Sequence, residues 1–353
     1  MSEKVLMKGN EAAAEAAIMA GCRHYFGYPI TPQNEVAAYM AKRMPKVGGT
    51  FLQAESEIAA INMVIGAAAC GKRAMTSSSS PGIALKSEGI SYLVGSDLPA
   101  VIMNVQRGGP GLGGIQPGQA DYNLAVKGAG HGDLHMIVTA PYTIQEMVDF
   151  TMDAFDLADK YRTPVMILTD GILGQMMEPV ELKARPALDI PKDWACTTTK
   201  GARGNNIVNS LYIEPEVLDK INIERYQRYA EIDRTEARSE GYKLEGADIV
   251  VVAYGASARI CKNAVDEARA RGVKAGLLRP VTLWPFPKAA LRQAAKSAKA
   301  FLTVEMSMGQ MVDDVLLAIE CSRPVGFCGR TGGLVPSLEQ VLAEIEKISK
   351  EVQ

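Results

Sequence analysis

The sequence predicts an α/β protein: a doubly wound parallel sheet with helices on both faces, followed by a second α/β unit. Two observations carry this reading. From about residue 9 to 178, helical stretches alternate with short, strongly apolar strands. After an irregular, charged stretch, the same alternation resumes near residue 246. The resulting division is 1–178, 179–245 and 246–353.

Each element has its own signal. "GNEAAAEAAIMAG" (9–21) keeps helical spacing and stops at Gly. "HYFGYPI" (24–30) is a short strand running into a turn. "TPQNEVAAYMAKRM" (31–44) predicts a helix with Thr31 as N-cap and Pro32 in the first helical position. "ESEIAAINMVIGAAACG" (55–71) is helical again. "RAMTSSSS" (73–80) and "PGIALKSEGISYLVGS" (81–96) read as strand, turn and helix. The apolar strand "PAVIMNVQ" (99–106) breaks into the Gly-rich loop "RGGPGLGGIQPGQ" (107–119). A strand (134–140), a helix (143–161) and the strand "TPVMILTDG" (163–171) complete the first unit.

Residues 178–206 are rich in Pro, Thr, Lys and Arg and read as an extended connector that reaches toward a partner. A charged amphipathic helix follows at 214–238. In the second unit, a strand (247–255) leads to a helix (257–272) with Ser257 as candidate cap. One strand (274–287) leaves through prolines. A third strand (300–306) and helices at 309–320 and 337–352 close the chain.

Composition removes several classes of function. The 353 residues are 47% hydrophobic and 22% charged, with net charge −2 and pI about 6.1, so neither nucleic acid nor an anionic membrane is an expected partner. No apolar run is long enough for a membrane span, and the N-terminus lacks the layout of a signal peptide, which makes the cytoplasm the expected location. The six cysteines are scattered without a C-x-x-C, as buried thiols of a reducing compartment would be. His24, His131 and His135 are too dispersed for a metal triad or a hydrolase.

Four places have residues suited to chemistry. Glu57 lies near the start of an Ala/Gly-rich helix, where a carboxylate can lie against a bound ring; the same position also suits a Glu that complements the helix dipole, and Glu55 is close by. Thr31 ends the turn "GYPITP" (27–32), where a hydroxyl and helix-start N–H groups can hold a carboxylate, or the hydroxyl is a plain cap. Arg107 follows the carboxyl end of a strand and suits bidentate capture of a carboxylate; a surface arginine is the alternative. "TSSSSPG" (76–82) offers hydroxyls and N–H groups to a cofactor, or is a polar turn. The bare G-x-G-x-x-G from Gly109 to Gly114 is followed by Pro117 and Gly118, not by a helix, so it is a weak nucleotide signal.

Together, "GYPITP" (27–32), "ESEIAAINMVIGAAACGKRAMTSSSSPG" (55–82), "VQRGGPGLGGIQPGQADYN" (105–123) and "TDGILGQMMEP" (169–179) resemble the alpha subunit of the 2-oxoacid:ferredoxin oxidoreductases. The stretches 247–287 and 304–311 are similar to that family's transketolase-C-terminal-like domain, so the likeness covers nearly the whole chain. It implies a thiamine-diphosphate-binding domain of the pyrimidine type. Glu57 would activate the pyrimidine. Thr31 and Arg107 would bind the oxoacid, and Pro29, Ile30 and Ser79 would touch the cofactor. The implied reaction is oxidative decarboxylation of a 2-oxoacid with coenzyme A to acyl-CoA, CO₂ and reduced ferredoxin.

The family's G-D-G…Asn diphosphate motif is absent: "TDGILG" (169–174) lacks the first Gly and a convincing downstream Asn. Diphosphate and Mg²⁺ are therefore expected on a beta subunit. Iron–sulfur clusters are expected on partner chains, with gamma and small ferredoxin-like subunits completing the complex. The chain resembles the branched-chain (2-oxoisovalerate) subgroup, and "GLGGIQPGQAD" (111–121) has no Lys or Arg to meet a second carboxylate. A 2-oxoglutarate enzyme and a non-catalytic scaffold subunit stay open as alternatives.

Overall fold

The computed structural model describes residues 4–186, 188–197 and 203–352. The expectations for residues 1–3 of the N-terminus, for connector positions 187 and 198–202 and for residue 353 fall outside them. The described residues build three sheets. The largest has the strand order Thr282–Trp284, Ile137–Thr139, Val165–Asp170, Val101–Gln106, Ala74–Ser78, His24–Gly27, Thr50–Gln53; every pairing is parallel except that of the first strand. This is the doubly wound sheet that the alternation of elements predicts.

Its central strands are buried along their whole length because both faces are covered. Along Val101–Gln106, residues Val101, Met103 and Val105 enter one hydrophobic core and Ile102 the other. Val165 and Ile167 separate from Met166 and Leu168 in the same way, as the two-residue period of a strand requires. Helices Gly9–Met19, Asn34–Arg43 and Ile144–Tyr161 cover the first face; Glu57–Ala69 and Ser87–Gly95 cover the second. The fully buried Ala12, Ala13, Ala16 and Ala17 let Gly9–Met19 approach Ile144–Tyr161 closely.

The C-terminal sheet runs Val325–Gly329, Ala300–Glu305, Ile249–Val252, Ala275–Pro280, Ser239–Tyr242, with the last strand antiparallel. Helices Gly255–Ala270 and Leu338–Glu351 pack on one face. Its other face sends Val250, Val252, Leu278 and Phe301 into the second core of the large sheet, so both units share one interior. No helix among the described residues is long and apolar enough to cross a membrane.

The structure corrects four local expectations. The stretch 274–287 is two strands. The N–H groups of Val281 and Thr282 both turn to the Arg238 carbonyl, which breaks the ladder after Pro280 and passes Thr282–Trp284 to the large sheet. The connector is not only a connector: Met177–Glu181 pairs antiparallel with Lys4–Lys8, and Ser239–Tyr242 edges the second sheet. Thr31 is not an N-cap. The helix starts at Asn34 with Gln33 as cap, because Gln33 is buried and bonded to Ser77 and Tyr28. Ser257 lies inside Gly255–Ala270, where its hydroxyl donates to Gln119 Oε1 at 2.7 Å. The edge strands Thr50–Gln53 and Val325–Gly329 were not anticipated.

Candidate active site

The carboxyl ends of the parallel strands converge, and there the chain stops satisfying its own polar groups. Strand His24–Gly27 leads to the turn carrying Pro29, Ile30 and Thr31. Tyr25 donates to Ser77 Oγ (2.7 Å), Ser77 donates to Gln33 Oε1 (2.5 Å), and Gln33 donates to the Tyr28 carbonyl (3.1 Å). This relay fixes the turn against the neighbouring strand. Pro29 is exposed, while Ile30 and Thr31 are half-buried.

Glu57 opens helix Glu57–Ala69, whose cap is Ser56: its Oγ accepts the Ala59 N–H at 3.1 Å. Glu57 is buried, whereas Glu55 is exposed, which separates the two candidates. No hydrogen bond reaches the Glu57 carboxylate among the described residues. A Cβ at Gly82 would sit 2.7 Å from Glu57 Oε1 and 2.1 Å from Ser78 Oγ, so only glycine leaves that carboxylate its place. The hydroxyls of Thr76, Ser78 and Ser79 are buried without partners.

Arg107 follows Val101–Gln106 and is buried. Its Nη1 donates to the Thr31 carbonyl (3.0 Å) and its Nη2 to the Leu112 carbonyl (2.9 Å), while Nε is buried and unpartnered. It forms no ion pair among the described residues. Its main-chain N–H donates to Ser80 Oγ (3.0 Å), which in turn donates to Asp121 Oδ2 (2.6 Å). Asn104 Nδ2 also donates to Asp121 (2.9 Å), and Asn104 Oδ1 accepts the Ser80 N–H (3.2 Å). Ser80 takes φ of 21° within this network. Burial pushes the Asp121 carboxyl up, against the hydrogen bonds from Ser80 and Asn104 and the charge of Arg107.

The Gly-rich loop is a strap, not a phosphate cradle. Arg107 bridges to Pro117, the Gly108 N–H donates to the Gln116 carbonyl (2.8 Å), and a Cβ on Gly113 would lie 2.0 Å from the Gly108 carbonyl oxygen. Its tip exposes Leu112 (85%) and Ile115 (58%). Beside it, a cleft of about 470 Å³ is lined by Thr31, Pro32, Ile115, Pro117 and Ile172, with Glu35 and Gln175 on one wall and no Lys or Arg.

The sequence reading brought together Glu57, Thr31, Arg107 and the serine turn, and the structure places them at adjoining strand ends. It missed Lys86, Asn104 and Asp121. Lys86 is wholly buried and donates to the Glu57 carbonyl at 3.2 Å; burial lowers it from 10.5 to about 8, with attraction to Glu57 opposing. A lysine in "GIALKSEG" looks like any solvent-facing helix lysine, so no sequence signal existed. Asp170 of "TDGILG" is also buried. Its Oδ1 accepts the N–H groups of Ile172 (2.8 Å) and Leu173 (3.2 Å), capping helix Gly171–Gln175. Among the described residues, no group of three or more His, Cys, Asp or Glu side chains forms a metal site.

An unpartnered buried carboxylate, free hydroxyls and a glycine-cleared space fit a nitrogen heterocycle lying against Glu57. Comparison with known proteins gives the family. The thiamine-diphosphate-binding domain of the pyruvate flavodoxin/ferredoxin oxidoreductases matches residues 15–237, and core domain II of pyruvate:ferredoxin oxidoreductase matches residues 247–341. Ketoisovalerate oxidoreductase subunit VorB of Methanothermobacter marburgensis is 50% identical over 98% of this chain and 98% of its own length. The 2-oxoglutarate synthase subunit KorA of the same organism is 35% identical over 98% of this chain and 99% of its own. Among solved structures, 2-oxoglutarate:ferredoxin oxidoreductase from Magnetococcus marinus, with 2-oxoglutarate, coenzyme A and succinyl-CoA bound, superposes with TM-score 0.86 at 28% identity. That match covers all of this chain and 66% of the other. This chain belongs to the thiamine-diphosphate-binding family of the pyruvate flavodoxin/ferredoxin oxidoreductases, as a subunit of the 2-oxoacid:ferredoxin oxidoreductase type.

Proposed function

We propose that this chain supplies the pyrimidine side of a thiamine-diphosphate site in a cytoplasmic complex that oxidatively decarboxylates a branched-chain 2-oxoacid, 3-methyl-2-oxobutanoate above all. Coenzyme A takes the acyl group and ferredoxin the electrons. The observation that carries this reading is the buried Glu57 carboxylate without a hydrogen-bond partner, in the space that Gly82 clears. Bound thiamine diphosphate supplies the carbon nucleophile and the electron sink for loss of CO₂.

Glu57 would exchange a proton with the ring nitrogen N1′ of the pyrimidine. Arg107, held in place by two carbonyls and lacking a carboxylate of its own, pairs with the oxoacid carboxylate, and Thr31 lies beside it. Pro29, Ile30 and Ser79 flank the cofactor. The cleft with Ile115 and Ile172 and no cation suits an aliphatic side chain better than a second carboxylate.

The remaining parts belong to partner chains. Asp170 is occupied as a helix cap, which leaves diphosphate and Mg²⁺ to a beta subunit, and the iron–sulfur clusters to the gamma and ferredoxin-like subunits. Leu112 and Ile115 in the Gly-rich loop, and Ile207, Leu211 and Ile213 in the connector, are apolar and exposed, which suits contact with another chain. Residues 1–178 would be the pyrimidine-binding domain, 179–245 the connector and 246–353 the transketolase-C-terminal-like domain.

The test is Glu57→Gln in the assembled complex with a panel of oxoacids. Oxoacid-dependent ferredoxin reduction should fall by roughly 10²–10⁴-fold with assembly unchanged. Wild type should prefer 3-methyl-2-oxobutanoate to 2-oxoglutarate. Full activity in the variant would remove Glu57 from the site, and preference for 2-oxoglutarate would overturn the substrate assignment.

A further inference from the structure

Lys86 directly follows the short helix Pro81–Leu85 and has no exposed surface. A lysine is seldom buried this way unless a negative charge or several acceptors compensate for its lost hydration. Its ammonium has three N–H groups, yet it makes one hydrogen bond, to the Glu57 carbonyl at 3.2 Å. It forms no ion pair among the described residues.

The elements packed against Lys86 bring few charges. Helix Glu57–Ala69 contributes only Glu57, and Pro81–Leu85 contributes none. Helix Ser87–Gly95 contributes Glu88, which is exposed and accepts the Tyr92 hydroxyl at 2.5 Å. The negative charge that attracts Lys86 is therefore the Glu57 carboxylate. Gly82, one helical turn before Lys86, abuts that same carboxylate.

We propose that Lys86 is a positioning residue for Glu57: its buried ammonium grips the Glu57 main chain and attracts its carboxylate, so that this acid meets the pyrimidine ring of thiamine diphosphate already oriented. This rests on the assignment of Glu57 given above. Lys86 touches neither cofactor nor substrate and acts through Glu57 alone. Burial brings its proton loss down to about pH 8, so its grip weakens as the solution becomes more alkaline than that.

The experiment is Lys86→Met in the assembled complex, which fills the same space without charge. Calorimetry gives the Kd for thiamine diphosphate from about pH 6 to about pH 10, a range spanning the lysine titration. Near neutral pH the variant should bind the cofactor roughly tenfold more weakly, a size typical of coupling between neighbouring groups. Wild-type affinity should decline through about pH 8 to 9, and the variant should show no such decline. In a Glu57→Gln background, Lys86→Met should cause no further loss. If Lys86→Met does not assemble, Lys86→Gln keeps an N–H for the carbonyl, removes the charge and should show the same loss.

Wild-type affinity with an unchanged pH profile would overturn the proposal. So would an equal loss in both backgrounds, which marks a purely structural lysine. Failure of the site assignment looks different: Glu57→Gln by itself would then leave cofactor affinity and turnover intact.

Discussion

Two buried arginines close to the ends of strands, one in each sheet, have opposite surroundings. In the C-terminal sheet, Arg279 meets Glu146 at 2.7 Å and Glu240 at 2.7 Å and lies 3.9 Å above the centre of the Tyr142 ring. In the large sheet, Arg107 meets two carbonyls and leaves Nε bare. Two buried glutamates repeat the contrast. Glu305 accepts from Ser307 and from the N–H groups of Gln310, Met311 and Val312, whereas no hydrogen bond among the described residues reaches the Glu57 carboxylate. Charges matched within the chain hold the fold together. Unmatched buried charges cost stability, and they persist where a bound molecule supplies the missing partner.

Substitutions can break this contrast, and the largest effect belongs to the matched side. Arg279→Met leaves the half-buried Glu146 without its cation and should lower unfolding free energy by about 3 kcal/mol in denaturant titration, the low end for a broken ion pair, with kcat/KM per folded molecule unchanged. Arg107→Met should do the reverse. It breaks no ion pair among the described residues, so the thermal midpoint should fall far less than in Arg279→Met, while kcat/KM for the oxoacid falls by roughly 10²-fold.

Asp170 gives a pH test of intermediate size. Burial raises it from 3.8 to about 6, against N–H bonds from Leu173, Ile172 and Ala256. The folded state then binds that proton more tightly than the unfolded chain does. Between about pH 4 and pH 6, stability therefore falls as pH rises, and the loss is complete above the folded pKa. Asp170→Asn keeps the acceptor and removes the charge. It should gain on wild type across that window, by on the order of 1–3 kcal/mol at neutral pH in paired denaturant titrations. The smallest effect is Ser56→Ala, which removes the cap before Glu57 and should cost about 1 kcal/mol by thermal melting.

Local signals with short-range causes were legible. The helices read at 337–352 and 143–161 start where the structure starts them: Ser337 with Gln340 forms a capping box, and Thr143 accepts the Glu146 N–H at 3.1 Å. The buried central strands showed as apolar runs. Ser257 misled because its hydroxyl serves a long-range bond to Gln119, and Thr31 because its hydroxyl accepts from the Asn34 side chain and not from a helix-start N–H. The split after Pro280 depends on the Arg238 carbonyl, 43 and 44 residues away from the two N–H groups it accepts (281 − 238 and 282 − 238), which no local pattern announces. At the site, Glu57 and Arg107 were visible as residue types at strand and helix ends. The Ser80–Asn104–Asp121 network was not, since its members come from separate segments that only the folded sheet brings together.

The crossing of Thr282–Trp284 into the large sheet bears on how the polypeptide can be divided. These residues shield the outer rim of Ile137–Thr139, and they come from beyond residue 245. A truncated form ending there would expose an unpaired backbone ladder, an open template for self-association. The second half is thus a structural guard for the first.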